Sequence, residues 1–337
     1  MIDVALDVRR TRRMSTGTRA YLDALQTWLP CVAPDLTIAS VGRGEHFGID
    51  EYVRLPLEIA RLAPRLVHYL TPLAPAVRWT PYVVTVHDLI HLAFPALHGS
   101  GSRWYYATLG ARVIRNARRI LVGDERTVDD CVRFFGVSPE RCSVVPLGFD
   151  PALLANTIAE SHERPYLLYA GNHRAHKNLA TLFAAWQALP PEVELDCYIT
   201  GKDDLPENVL RYRTGGRLLV LGDVDRSRLW RLYRGALAYV HPAFAEGFGI
   251  PMLEAAASGT PVLASFECVP SILRSVARTF PARDVDALRD LLVHAVHHAE
   301  EERRRARELV TEISTYTWER FAGAVAVVYR EVLSEMK

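Results

Sequence analysis

Two acids eight positions apart, Glu246 and Glu254, stand in the stretch "HPAFAEGFGIPMLEAAASGTPVLAS", residues 241–265. Each carboxylate oxygen can accept an O–H, so an acid pair suits a ligand with vicinal hydroxyls. The local pattern separates the two. "LAYVHP" reads as a strand ending at Pro242, "AFAEGFG" as a loop that holds Glu246, and "PMLEAAASG" as a helix with Pro251 at its first position and Gly259 past its end. Glu254 therefore lies just inside a helix. The first N–H groups of a helix lack partners and carry partial positive charge, and Gly247 and Gly249, on either side of Phe248, let a ligand approach the backbone closely. The spacing alone fits a plainer arrangement as well, in which Glu254 complements the helix dipole and Glu246 is a solvated loop acid.

The elements that must position these residues form a repeating pattern. "IDVALDV", "RLVHYL", "PYVVTVH", "RILVGD" and "CSVVPL" read as strands, separated by helical stretches such as "TRAYLDALQTWL" and "YYATLGARVIRNA". "FDPALLANTIAESHERP" breaks the rhythm, which restarts at "YLLYAG", "ELDCYITG", "RLLVLG", "LAYVHP" and "TPVLAS". The expected fold class is thus α/β, with two consecutive domains, residues 1–155 and 156–316, and ligands beyond the carboxyl ends of the strands in the cleft between them. The length of 337 residues agrees with two cores.

Composition excludes several classes. With 40 basic and 39 acidic residues the net charge is +1, which does not suggest a nucleic-acid partner. The five cysteines are scattered without C-x-x-C spacing, so neither a disulfide framework nor a zinc cluster is indicated, and a cytoplasmic setting is expected. No apolar run approaches the roughly 20 residues that span a bilayer. "MIDVALDVRRTRR" opens with a strand followed by charge, the reverse of a signal peptide. The charged run "HHAEEERRRARELV" reads as the solvated face of a late helix.

The stretch "EGFGIPMLEAAASGTPVLAS" resembles the E-x7-E signature of the retaining glycosyltransferases of family 4, with Glu246 and Glu254 on its two acids. "YAGNHRAHKNLATLFAAW" is similar to the phosphate-contacting segment of that family, with Lys177 and Asn178 on its Lys-Asn pair and His176 where many members carry arginine. "VTVHDLIHLAFP" resembles the His-Asp loop of the first domain, "VVPLGFDP" the segment that closes it, and "YTWERFAGAVAVVY" the C-terminal helix that crosses back to it. The resemblance implies the GT-B architecture: two facing Rossmann-like domains, with a helix at about 317–337 returning to the first. Two departures stand out: Arg19 replaces a glycine often found after Gly17, and Pro270-Ser271 stands where Pro-Glu is common.

The resemblance also implies roles. Glu246 would bind hydroxyls of the donor sugar and Glu254 those of the ribose. Lys177, with Arg174, would hold the diphosphate, and His87 would lie beside the sugar. Fixed cations that neutralise the departing diphosphate remove the need for a metal or other cofactor. Transfer would go with retention, by front-face attack, from a nucleoside-diphosphate hexose (GDP-mannose before UDP-sugars) to a glycan or lipid-linked acceptor carried mainly by the first domain. The basic stretch Arg9, Arg10, Arg12, Arg13 and Arg19 would meet a lipid-linked diphosphate or an anionic membrane surface, unless it is a solvated loop.

Three other readings exist. "DVD" occurs at Asp223 and Asp225 and again at Asp284 and Asp286, which fits either a metal-binding Asp-x-Asp or acids that precede and cap helices, Asp225 being a natural N-cap. His87 and His91 are four apart and would bind a metal only if both lay on one helical face. A catalytically silent scaffold that binds a nucleotide sugar is the third. A dehydrogenase is disfavoured because no G-x-G-x-x-G follows the first strand.

Overall fold

The computed structural model describes residues 1–9, 15–42, 53–75, 78–97, 100–155, 157–202, 205, 209 and 212–336. Chain contacts divide it into two units: Met1–Gly148 with Tyr316–Lys337, and Phe149–Thr315.

The first unit is built on six strands: β1 (Val4–Asp7), β2 (Ile38–Val41), β3 (Leu66–Tyr69), β4 (Tyr82–Val86), β5 (Arg119–Val122) and β6 (Cys142–Val144). They pair in the order β2-β1-β3-β4-β5-β6, all parallel, with Val4 opposite Ile38 and Val84 opposite Ile120. Central strands such as β4, "YVVTV", are buried along their whole length, as a parallel sheet covered on both faces requires. The helix Trp318–Glu335 belongs to this unit and buries Trp318, Phe321, Val325, Tyr329 and Val332 along one stripe. Its Phe321 ring meets Tyr21 of the helix Thr16–Val32 edge to face, centroids 4.7 Å apart.

The second unit carries β7 (Tyr166–Tyr169), β8 (Asp196–Thr200), β9 (Tyr212–Arg213), β10 (Gly216–Gly222), β11 (Ala238–His241), β12 (Val262–Ser265) and β13 (Arg278–Phe280). Their order is β13-β12-β11-β7-β8-β10-β9, and every pair is parallel except β9 with β10. The order reverses at β7, which lies between β8 and β11. The loops beyond the carboxyl ends of β7 and β11 lie at that switch point, where open α/β sheets bind ligands.

Four expectations change. The unit boundary falls at Gly148/Phe149 rather than at 155/156, because Phe149 is buried against Trp230, and Arg234 of the second unit binds the carbonyls of Leu154 at 2.9 Å and Thr157 at 2.6 Å. The stretch "YYATLGARVIRNA" is not one regular helix: a π-helical turn, Tyr106–Gly110, precedes the helix Ala111–Asn116. The charged run is not wholly solvated, since Glu302 is buried and bound to Arg278 at 2.6 Å and His294 at 3.2 Å. Arg9 does not face solvent: its guanidinium is buried on Asp7, 2.6 Å away, and on the Leu73 carbonyl at 2.7 Å. A buried, paired arginine cannot meet a membrane, and Arg10, Arg12 and Arg13 lie outside the described residues. Among the described residues no helix is long and apolar enough to cross a membrane.

Candidate functional site

Lys177 ends the 3₁₀ turn Ala175–Lys177 that follows β7, and Glu246 sits in the loop after β11. The turn and the loop are joined by the backbone, Phe244 N–H donating to the His176 carbonyl at 2.8 Å. Asn178, in a left-handed conformation (φ 54°), donates through its side chain to the carbonyls of Pro242 at 2.9 Å and Ala282 at 2.6 Å. These bonds seat the Lys177 ammonium on Glu246 Oε1 as a mostly buried ion pair.

His241, the last residue of β11, donates from Nε2 to the same oxygen at 3.1 Å. Burial alone would raise the Glu246 pKa, but the Lys177 charge and the hydrogen bonds from His241 and Lys177 outweigh it and hold the carboxyl well below its usual range. Glu246 is thus a fixed anion.

The helix Ile250–Ala257 follows, and Gly249 precedes it with φ 85°, a conformation open to glycine. A Cβ at Gly249 would lie 2.3 Å from Met252 Cε. Gly247 is buried beside it, and the Phe248 ring is buried in the core. Pro251 is the second helical residue, and Gly259 lies past the end with φ 72°.

Glu254 falls one turn further in, outside the first turn, where the helix dipole acts most strongly. Its side chain is buried between Arg226 Nη2 at 3.1 Å and the Tyr233 hydroxyl at 3.4 Å. Burial pushes its pKa up to about 7, against the pull of Arg226 and the Tyr233 hydrogen bond. The two acids are therefore held in opposite protonation regimes.

Arg174 is exposed next to the turn that carries Lys177. Gly17 and His87 lie in the first unit. Gly17 is the second residue of the helix Thr16–Val32, which Ser15 caps through Thr18 N at 3.1 Å. His87 follows β4 with its ring edge against Tyr21, centroids 5.0 Å apart; burial lowers its pKa, and Nε2 has no hydrogen-bond partner among the described residues. The "DVD" acids act locally: Asp225 caps the helix Arg226–Gly235 through Arg228 N at 2.7 Å, Asp284 caps the helix Val285–His297 through Ala287 N at 2.9 Å, and Asp223 and Asp286 pair with Lys202 and Arg289.

Sequence reasoning missed His241, Arg226 and Tyr233. His241 carried a signal: the period of two in "AYVH" puts Tyr239 and His241 on one face of β11. Arg226 and Tyr233 carried none, because only the packing of two helices brings them to Glu254.

Residues 154–308 match the family model "Glycosyl transferases group 1", and residues 31–153 match "Glycosyltransferase Family 4". The chain is 28% identical over 223 residues to O-antigen chain mannosyltransferase B of Escherichia coli, covering 61% of this chain and 58% of that protein. It spans between 51% and 59% of the length of the first curated relatives it matches. Among solved structures, sucrose-phosphate synthase from Thermosynechococcus elongatus aligns with a TM-score of 0.79 at 16% identity, over 99% of this chain and 100% of that one. Anabaena Alr3699/HepE in complex with UDP-glucose aligns with a TM-score of 0.69 at 13% identity, over 99% and 98%. Likeness at these identities speaks for the fold.

Proposed function

The chain belongs to glycosyltransferase family 4 and has the GT-B α/β fold, and on that premise we propose that it transfers a hexose from a nucleoside-diphosphate sugar to a hydroxyl of a glycan or lipid-linked acceptor, with retention and without a metal. The observation that carries this reading is the meeting of Lys177 and Glu246 where the strand order reverses between β7 and β11. Lys177 is a point charge on a flexible stem and can turn from Glu246 to an oxygen of the diphosphate, while Arg174 supplies a second cation. Growing charge on the leaving diphosphate is then met by groups already in place. Glu246 takes hydroxyls of the hexose, Glu254 those of the ribose, and His87 is a further group for the sugar. The phosphate oxygen, as it departs, accepts the proton of the attacking hydroxyl on the same face. GDP-mannose is the preferred donor, in keeping with the mannosyltransferase relative, and a UDP-sugar, as bound by HepE, is next.

Thermal-shift titration with a panel of nucleotide sugars, followed by a transfer assay with the hits, tests the reading. A specific donor at about 100 times its Kd should stabilise the protein by about 2.7 kcal/mol. No shift with any nucleoside diphosphate or nucleotide sugar would overturn the reading. Binding without transfer or hydrolysis of any donor would leave a silent scaffold in its place.

A further inference from the structure

Glu246 is held from one side only. Lys177 and His241 both converge on Oε1, and no partner among the described residues meets Oε2. The carboxylate thus has one anchored oxygen and one left to accept a hydroxyl.

We propose that His241 is a positioning residue: its Nε2–H locks the Glu246 carboxylate in the orientation that offers Oε2 to the donor sugar, and the Tyr239 hydroxyl fixes the tautomer that allows this. The role rests on the functional reading above.

The hydrogen bonds carry the argument. Glu246 is ionised and can only accept, so the contact at 3.1 Å requires a proton on Nε2. His241 is 1% exposed, and the rings of Tyr169 and Tyr239 lie within 23° and 29° of parallel to its ring with centroids 6.0 and 5.9 Å away. Burial keeps the imidazole neutral, against the pull of Glu246 and with Lys177 opposing a second positive charge. A neutral ring with Nε2–H has a bare Nδ1, and the Tyr239 hydroxyl, 2.9 Å from Nδ1 and 3.3 Å from the Ala170 carbonyl, gives its single proton to the shorter contact. Tyr239 remains a phenol because burial pushes its pKa up.

A histidine is needed beside Lys177 because the two hold Glu246 differently. The ammonium is a point charge on a flexible stem, and an arriving diphosphate draws it away. The imidazole is pinned by its strand, two rings and a second hydrogen bond. When Lys177 turns to phosphate, His241 keeps Glu246 aimed.

The first test needs no sugar. Nitrogen-15 NMR of the histidine-labelled ligand-free protein should show neutral His241 with its proton on Nε2 and its titration below the ordinary histidine value. A proton on Nδ1, or titration near the ordinary histidine value, would overturn the proposal. The second test compares His241→Leu, which keeps the volume without a donor, with His241→Gln, which returns an N–H. The leucine variant should lose between about tenfold and about 100-fold in kcat and keep its affinity for the bare nucleoside diphosphate within about threefold. Glutamine should recover to within about fivefold of the parent. Equal losses in both variants would overturn the proposal. Should the leucine variant not fold, Tyr239→Phe, which keeps the stacking, should lower kcat by about threefold to tenfold and let the Nδ1 proton appear; an unchanged spectrum and rate would overturn the role. A parent inactive with every donor would sink the functional reading alone, since the spectrum decides the hydrogen bonds independently.

Discussion

Lys177 and Glu246, 69 residues apart in the chain, share a hydrogen-bonded ion pair beyond the carboxyl ends of the central strands β7 and β11, where the strand order reverses. Each is the other's main counter-charge in the ligand-free protein, and each has a different partner in the proposed reaction. Removing either therefore acts on stability and on turnover through separate routes.

The pair can be split by a cycle of variants. Lys177→Ala leaves a mostly buried carboxylate held by His241 alone, and breaking such a pair costs about 3–5 kcal/mol. It should also lower turnover by about 10²–10³-fold, because the departing diphosphate loses a cation. Adding Glu246→Gln to Lys177→Ala should restore most of the stability, measured by urea unfolding, and none of the turnover. Recovery of turnover in the double variant, or turnover of Lys177→Ala within about threefold of the parent, would refute the phosphate role.

Gly148 ends the first segment of the first unit against the returning chain. A Cβ there would lie 2.2 Å from the Thr317 carbonyl carbon and 2.4 Å from Trp318 N, and backbone cannot step aside as a flexible side chain can. Gly148→Ala should lower stability by about 2–4 kcal/mol, read from the urea midpoint, while the neighbouring substitution Asp150→Ala, whose carboxylate accepts locally from Ala152 N at 3.0 Å, should cost under about 1 kcal/mol. An unchanged midpoint for Gly148→Ala would mean that the two segments do not approach this closely.

Much of this architecture was legible because β1, β3, β4, β5, β7, β8 and β11 are short, deeply buried apolar runs. Strands β2, β9 and β13 were not read. They lie at sheet edges, where one side of the ladder is open and "IASV", "YR" and "RTF" carry no continuous apolar run. In the site, Glu246 and Lys177 each stood in a recognisable motif, but their pairing did not show, since sequence spacing says nothing about which loops meet. Glu254 was placed near a helix start, whereas its partners Arg226 and Tyr233 come from another helix and set its protonation. Arg9 misled because a run of arginines looks solvated until one of them is found on Asp7.

The "DVD" acids bear on the metal question. Asp225 and Asp284 cap helices, and Asp223 and Asp286 lie in ion pairs. Transfer should persist in excess chelator, because Lys177, Arg174 and a helix end face the phosphate charge in the proposed reaction. Asp225→Ala should act as the loss of an N-cap, costing about 0.5–2 kcal/mol, with kcat within about threefold of the parent. Loss of activity with chelator, restored by Mg²⁺ or Mn²⁺, would reinstate the metal-dependent alternative.

Glu254 gives the most discriminating test, because its burial and its proposed role act in opposite directions. Its pKa in the folded protein, about 7, lies above the ordinary glutamate value, so the folded state binds more protons than the unfolded one between the two. Stability from this group is fully present below the ordinary value and is lost as pH rises through about 7. Glu254→Gln cannot ionise, so the ligand-free variant should be more stable than the parent at about pH 8, by at most about 3 kcal/mol, with the gain shrinking toward about pH 4.5. The freed Arg226 is half exposed and adds little cost. Nucleotide binding should move the other way. If the ionised carboxylate accepts the ribose hydroxyls, the parent should lose affinity for the bare diphosphate by about tenfold from about pH 8 to about pH 6 beyond any loss seen in the variant. Glu254→Gln should bind it more weakly by about 1.5–3 kcal/mol at the higher pH, whereas Glu246→Gln should bind it like the parent and fail in transfer. Parent-like diphosphate binding by Glu254→Gln across the pH range would remove the ribose role and leave Glu254 as a buried partner of Arg226 and Tyr233.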